Sequence, residues 1–102
     1  SEAAVERVFF AKGARAALSL GHARGVALLA ATIEDVTIYE YSALEVKKSV
    51  VGYGRADKKQ VKGMVSSILG IGHPLSEDSA DALALALCHI NTENLNILTG
   101  KA

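Results

Sequence analysis

Apolar and polar positions follow two different periods along the chain, and each change of period marks an element. From Ala4 to Phe10 the residues are β-branched and aromatic and alternate, which predicts a strand with Ala4, Glu6, Val8 and Phe10 on one face and Val5, Arg7 and Phe9 on the other. Glu6 therefore shares a face with apolar neighbours, either as an edge-strand carboxylate in solvent or as one aimed into a site. Lys12 to Arg15 turns the chain into an alanine- and leucine-rich helix over residues 14–32. Ala17, Gly21, Gly25 and Leu28 form a smooth strip along it. A glycine costs a helix roughly 1 kcal/mol relative to alanine, so two of them four apart predict a close neighbouring backbone, from the sheet or a second subunit. Arg15, His22 and Arg24 make the helix's polar side, read as a solvated face. Val36 to Tyr41 alternates again with strong β-formers. Strand, long helix, strand is the pattern of two parallel strands joined by a right-handed crossover.

Three more helices follow. Ser42 and Glu45 make a capping box, after which Val46 and Val50 point inward and Lys47 and Lys48 outward. The break at Gly52-Tyr53-Gly54-Arg55 lacks the third glycine of a dinucleotide-binding turn and follows a helix rather than a strand. Asp57 and Gln60 make a second capping box, opening a helix whose apolar face is Val61, Met64, Val65 and Ile68 and whose stop is Gly70. A loop with the sole proline, in which His73 reads as a loop residue, leads to the last helix. There Asp78 and Asp81 lie three apart and share a face. Ala82 to Cys88 carries no polar side chain, which predicts a helix packed on most sides with Asp81 at the edge of a dry region. Past Ile90 the residues turn polar and read as a frayed tail. The expected division is one folded unit over residues 1–90 and a polar tail over 91–102.

Composition narrows the class without naming a function. A chain of 102 residues, half of them apolar, makes one domain with a modest core. Eleven basic residues balance eleven acidic ones, so overall charge does not announce a nucleic-acid binder. The single cysteine, Cys88, has no internal disulfide partner and suits a reducing compartment and a small core position. The apolar runs read as too short for a membrane span, and no signal peptide opens the chain. The expectation is a soluble, cytoplasmic protein with no membrane partner.

The chemistry lies in three acids and a basic patch. Glu6, Asp78 and Asp81 would repel one another when clustered, and their natural occupant is a hard divalent cation such as Mg²⁺ or Mn²⁺, which activates water for phosphodiester cleavage. An aspartate at N-cap with another at N3 is equally good capping chemistry, favoured by the helix dipole. Gly52, Gly54, Arg55, Lys58 and Lys59 form the densest basic, backbone-accessible stretch, fit either to track phosphates or to be an ordinary solvated loop.

Several blocks, taken together, resemble a known family. Glu6-Arg7-Val8-Phe9-Phe10-Ala11-Lys12, Leu20-Gly21-His22-Ala23-Arg24-Gly25-Val26, Glu40-Tyr41, Val46-Lys47-Lys48-Ser49-Val50-Val51-Gly52-Tyr53-Gly54 and Asp78-Ser79-Ala80-Asp81-Ala82-Leu83-Ala84 are similar, in order and spacing, to the RuvC Holliday junction resolvases. The resemblance extends to His89. It implies an α/β, RNase H-like fold, here incomplete, and a homodimeric crossover junction endonuclease. Such an enzyme cuts four-way DNA junctions symmetrically with Mg²⁺ held by four carboxylates, working with branch-migration proteins in recombination and repair. By resemblance Glu6, Asp78 and Asp81 are metal ligands and catalytic, and Lys47 and Lys58 stabilise phosphate charge beside the cleaved bond. Phe9 engages junction bases by stacking. The DNA-binding set is Arg7, Phe9, Lys12, Lys47, Lys48, Arg55, Lys58 and Lys59. The strip at Gly21 and Gly25 falls where the family places much of its dimer contact.

One departure is large. The family's fourth carboxylate sits on its first strand in a Gly-Ile-Asp-Pro-Gly-like motif, and this sequence contains none. The expectation is a carboxy-terminal portion, lacking the first three strands, with three of four ligands and weak or no cleavage alone. The rival readings are an RNase H-like nuclease of structured RNA and a non-catalytic α/β interaction module whose acids only cap helices.

Overall fold

The computed structural model describes residues 1–7 and 13–100. In chain order the elements are β1 (Glu2–Arg7), α1 (Ala14–Ile33), β2 (Thr37–Ser42), α2 (Ala43–Val51), α3 (Lys58–Leu69) and α4 (Glu77–Thr99). The two strands pair in parallel, with Glu6 opposite Tyr41 and Arg7 opposite Ser42, so α1 is the expected crossover. β1 starts at Glu2, two residues before the alternation predicted; Val8 to Phe10, the rest of the predicted strand, lie outside the described residues.

Each face of this ribbon is committed to a different helix. Parallel pairing puts Glu2, Ala4 and Glu6 beside Thr37, Tyr39 and Tyr41 on one face. That face meets α4 through His89, whose Nδ1 lies 2.5 Å from the Tyr41 hydroxyl and whose Nε2 lies 2.7 Å from Glu2 Oε1. The Tyr39 ring packs on the same imidazole with centroids 4.5 Å apart. On the other face Arg24 of α1 pairs with Glu40 and donates to the Glu6 carbonyl at 3.4 Å. Arg24 is thus a half-buried tether, not part of a solvated face, whereas Arg15 and His22 are exposed as expected.

Both capping boxes form. Ser42 accepts from the Glu45 amide while Glu45 accepts from the Ser42 amide, each at 3.1 Å, and Asp57 and Gln60 exchange the same pair. Gly52 and Gly70 end α2 and α3 in the left-handed region, at φ 102° and 65°, a conformation that a β-carbon would strain. The core lies where α2, α3 and α4 meet, with Val50, Ala56, Val61, Val65, Leu75, Ala80 and Ala84 buried together. Met64 and Ile68, predicted inward, are exposed at the margin of that face because α3 buries only the narrower stripe of Val61 and Val65.

Four expectations about the helices are corrected. First, α4 is not packed on most sides. Only Ala80, Ala84 and Cys88 are buried in it, a stripe with four-residue spacing, while Ala82 and Ala86 are exposed. Alanine and leucine favour a helix whether or not every face is covered, so an apolar run did not mean burial. Second, residues 91–99 do not fray. The helix runs to Thr99, with Asn91 donating to Ser49 Oγ of α2 at 3.1 Å and Gly100 closing the end in the left-handed region. Third, α1 is by length and composition apolar enough to cross a membrane, since its charges interrupt the apolar runs without lowering the average over a whole span. Fourth, of the two neighbours expected at Gly21 and Gly25, the chain's own sheet is not the one: a β-carbon on either would find nothing within 4 Å among the described residues, and α1 buries none of its side chains.

Candidate functional site

Four charged side chains from four elements meet at one pocket. Its volume is about 230 Å³, and it is lined by Glu6 of β1, Lys47 of α2, Lys58 of α3 and Asp81 of α4. Ala43, Val46, Val61, Ala84 and Leu85 supply the apolar walls. Each charged group is held by a local rule already legible in the chain. Glu6 faces α4 because of strand alternation. Lys47 follows Val46, which packs against the core and fixes the rotation of α2. Lys58 is the first residue of α3, directly after its capping box. Asp81 sits on α4 between the buried Ala80 and Ala84, so the burial of those alanines aims its turn at the pocket.

The start of α4 separates capping from chemistry. The N-cap is Ser76, whose hydroxyl accepts from the Ser79 amide at 3.1 Å. Asp78 is therefore the second residue of the helix and Asp81 lies beyond its first turn, so neither side chain is the cap. Asp78 in the first turn still complements the helix dipole. Asp81 does not, because that field fades within one turn. Asp81 is also exposed rather than set at the edge of a dry region, so its charge needs no buried partner.

Other candidate residues fall elsewhere. Asp78 is exposed and does not line the pocket, and among the described residues no three His, Cys, Asp or Glu side chains gather as a metal cluster. The two pocket carboxylates, Glu6 and Asp81, are the groups placed to hold a cation. Lys59 lines an adjoining pocket, while Lys48 and Arg55 are exposed and line neither. Arg7 lies on the opposite face of the ribbon with its Nε 3.3 Å from Glu40 Oε2. Phe9 and Lys12 lie outside the described residues. His73 is an exposed loop residue, as expected, with Nδ1 3.1 Å from its neighbour's carbonyl.

Sequence reasoning missed the cluster that braces this pocket from behind. Tyr41, beside Glu6 in register, is buried, and burial pushes its hydroxyl above the ordinary tyrosine range, so it stays protonated and hydrogen-bonded to His89. The available signal was spacing, since His89 follows Asp81 by eight residues, or two helical turns. Cys88 matches its expected role. It is buried, its Sγ lies 3.8 Å from the Glu45 carbonyl, and burial pushes its thiol pKa up, away from reactivity.

Comparison with known proteins points to one family. Residues 1–89 match the family model described as crossover junction endodeoxyribonuclease RuvC. A protein of that description from Syntrophotalea carbinolica is 54% identical over 95 residues, covering 93% of this chain and 59% of its own length. Another from Saccharophagus degradans is 55% identical over 93 residues, 54% of its length. The fold agrees with the Thermus thermophilus RuvC structure at a TM-score of 0.82 and 38% identity, covering 93% of this chain and 58% of that one. The same protein in complex with Holliday junction substrate gives 0.84, covering 91% of this chain and 57% of that one. The architecture is thus RNase H-like, represented here by two parallel strands and four helices. The chain spans between half and three fifths of the length of these relatives.

Proposed function

The chain belongs to the crossover junction endodeoxyribonuclease RuvC family, and on that premise we propose that its Glu6–Asp81 pocket is the phosphodiester-cleaving site of a four-way DNA junction resolvase. The observation that carries this reading is the convergence of two carboxylates and two lysines, from four elements, on one pocket.

The residues fit a divalent cation of the Mg²⁺ type. Mg²⁺ keeps several waters and takes one or two protein carboxylates together with substrate phosphate oxygens, rather than a closed protein cage. Glu6 and Asp81 supply those hard oxygens, with Asp78 one turn away on the same helix as a further ligand. When bound, the ion supplies Lewis-acid stabilisation of phosphate charge and lowers the pKa of water. The chain's own groups do the rest. Lys47 and Lys58 place positive charge where the phosphate gains negative charge as one P–O bond forms to water and another breaks to the sugar. The wall of Val46, Val61 and Leu85 limits water on one side of the pocket, which strengthens those charge interactions. Lys48, Lys59 and Arg55 extend the basic surface for DNA, and Phe9 and Lys12 complete the set that the resemblance implies.

Two copies joined through the Gly21–Gly25 strip of α1 would present paired sites to a junction's symmetric strands, and branch-migration proteins and the bacterial cytoplasm are the corresponding partners and place. The test is fluorescence anisotropy of the 102-residue chain with a synthetic four-way junction, a linear duplex and a structured RNA, in Mg²⁺. Preference for the junction, weakened by Lys47→Ala and by Lys58→Ala, is the expected result. Equal or tighter binding of the duplex or the RNA would overturn the assignment. With two carboxylates in the described pocket, cleavage by this chain should be weak or absent. Paired symmetric nicks at high rate would contradict that.

A further inference from the structure

A second pocket adjoins the first and is richer in lysine, with three lysines to two acids. Its volume is about 270 Å³, and it is lined by Lys58, Lys59 and Lys62 with Glu77, Ala80 and Asp81. Lys58 and Asp81 line both pockets, so they form the wall between them. In the first pocket two acids face two lysines. In the second, Lys58 meets Glu77 at 4.0 Å, whereas among the described residues Lys59 and Lys62 take part in no ion pair. Lys62 is also half-buried and follows the buried Val61 in α3, as suits a lysine whose apolar stem rests on protein while its ammonium reaches water.

We propose that this second pocket is a phosphate subsite, in which Lys59 and Lys62 hold the backbone phosphate neighbouring the one at Glu6 and Asp81, with Lys58 between the two. This rests on the nuclease reading and deepens it by giving the strand a path: along the first turns of α3, from Lys47 past Lys58 toward Lys62. The chemistry that recognises the ligand is that of a phosphodiester, because an ammonium is a compact point charge with three donors that binds phosphate without reading a base. Two lysines in a concave site, without ionic partners among the described residues, are placed to release counterions when a phosphate enters. The lysine at 62 was absent from every sequence-based expectation because it sits between the apolar positions Val61 and Val65, where a helix-face reading assigns it to solvent.

The experiment is the salt dependence of four-way junction binding by the 102-residue chain, measured by anisotropy over a series of NaCl concentrations. Lys62→Met keeps the apolar stem and removes the charge, so folding, checked by circular dichroism, is preserved. The expected result is a salt slope lower by about 0.9 for Lys62→Met and again for Lys59→Met, with Lys62→Arg restoring the wild-type slope. Arg15→Ala, exposed on α1 and distant from both pockets in the chain's order, is expected to leave it unchanged. If Lys47→Ala and Lys58→Ala weaken binding while Lys62→Met and Lys59→Met keep the wild-type slope, the subsite is wrong and the nuclease reading stands. If the wild-type chain shows no salt-dependent preference for the junction, both fall.

Discussion

Asp81 carries its carboxylate beyond the first turn of α4, past the point where a cap or the helix dipole gives an acid any use. Ser76 does the capping instead. Two substitutions therefore have separable consequences. Ser76→Ala should cost about 1 kcal/mol of stability in urea unfolding, with no effect on divalent-ion affinity. Asp81→Asn should change stability by no more than about 0.5 kcal/mol yet weaken Mn²⁺ binding, read by titration calorimetry, by about tenfold or more, a difference of about 1.4 kcal/mol. A large stability loss with unchanged ion binding would return Asp81 to a purely structural role. Lys47 and Lys58 owe their places to Val46 and to the Asp57–Gln60 cap, but it was the family resemblance, not the local pattern, that singled them out.

Elements are joined here by polar brackets as much as by apolar packing. β1 and β2 are keyed to α4 by His89 and to α1 by Arg24, so the ribbon holds Glu6 at a defined place despite having only two strands. The junction of β2 and α2 adds a pH-sensitive cap. The Ser42 amide donates to the Glu45 carboxylate, and this hydrogen bond, with a further contribution from the Ser42 side chain, holds the Glu45 carboxyl below the usual glutamate range. A lowered folded-state pKa means the ionised form is favoured by folding, so its stabilisation is complete above the unfolded pKa and is lost as pH falls through the folded one. Glu45→Gln keeps a box acceptor but not the charge. Its stability deficit, small at neutral pH because the exposed charge is screened by solvent, should shrink toward zero in acid, measured by thermal unfolding across pH 7 to 3. A deficit independent of pH would remove the electrostatic part of the cap.

At the scale of the whole molecule α1 is a long exposed helix, which carries Leu18, Val26, Leu29 and Ile33 in solvent and has no fully buried residue. The open space at Gly25 lets one substitution separate the chain's own stability from self-association. Gly25→Ala should stabilise the isolated chain by roughly 1 kcal/mol through helix propensity. In sedimentation equilibrium it should weaken self-association if the proposed contact between two copies runs along this strip, because that contact would lose its closest approach. Unchanged association would place the dimer contact elsewhere. The dense helical core formed by α2, α3 and α4 is independent of that face.

The sequence by itself determined whatever depends on neighbours a few residues apart. Strand alternation, the capping boxes at Ser42 and Asp57, the glycine stops and the crossover connection were legible because each is set by local backbone and side-chain geometry. The ordered blocks from Glu6 to Ala84 likewise carried the family. What only the tertiary structure decided were the quantities that depend on which face finds a partner. It left Ala82 and Ala86 of α4 exposed, extended that helix to Thr99, and gave Arg7 and Arg24 the shared partner Glu40. It also brought Lys62 beside Asp81 and His89 onto Tyr41. An apolar run specifies a helix, but burial is a property of the surfaces that meet it, and those come from distant parts of the chain.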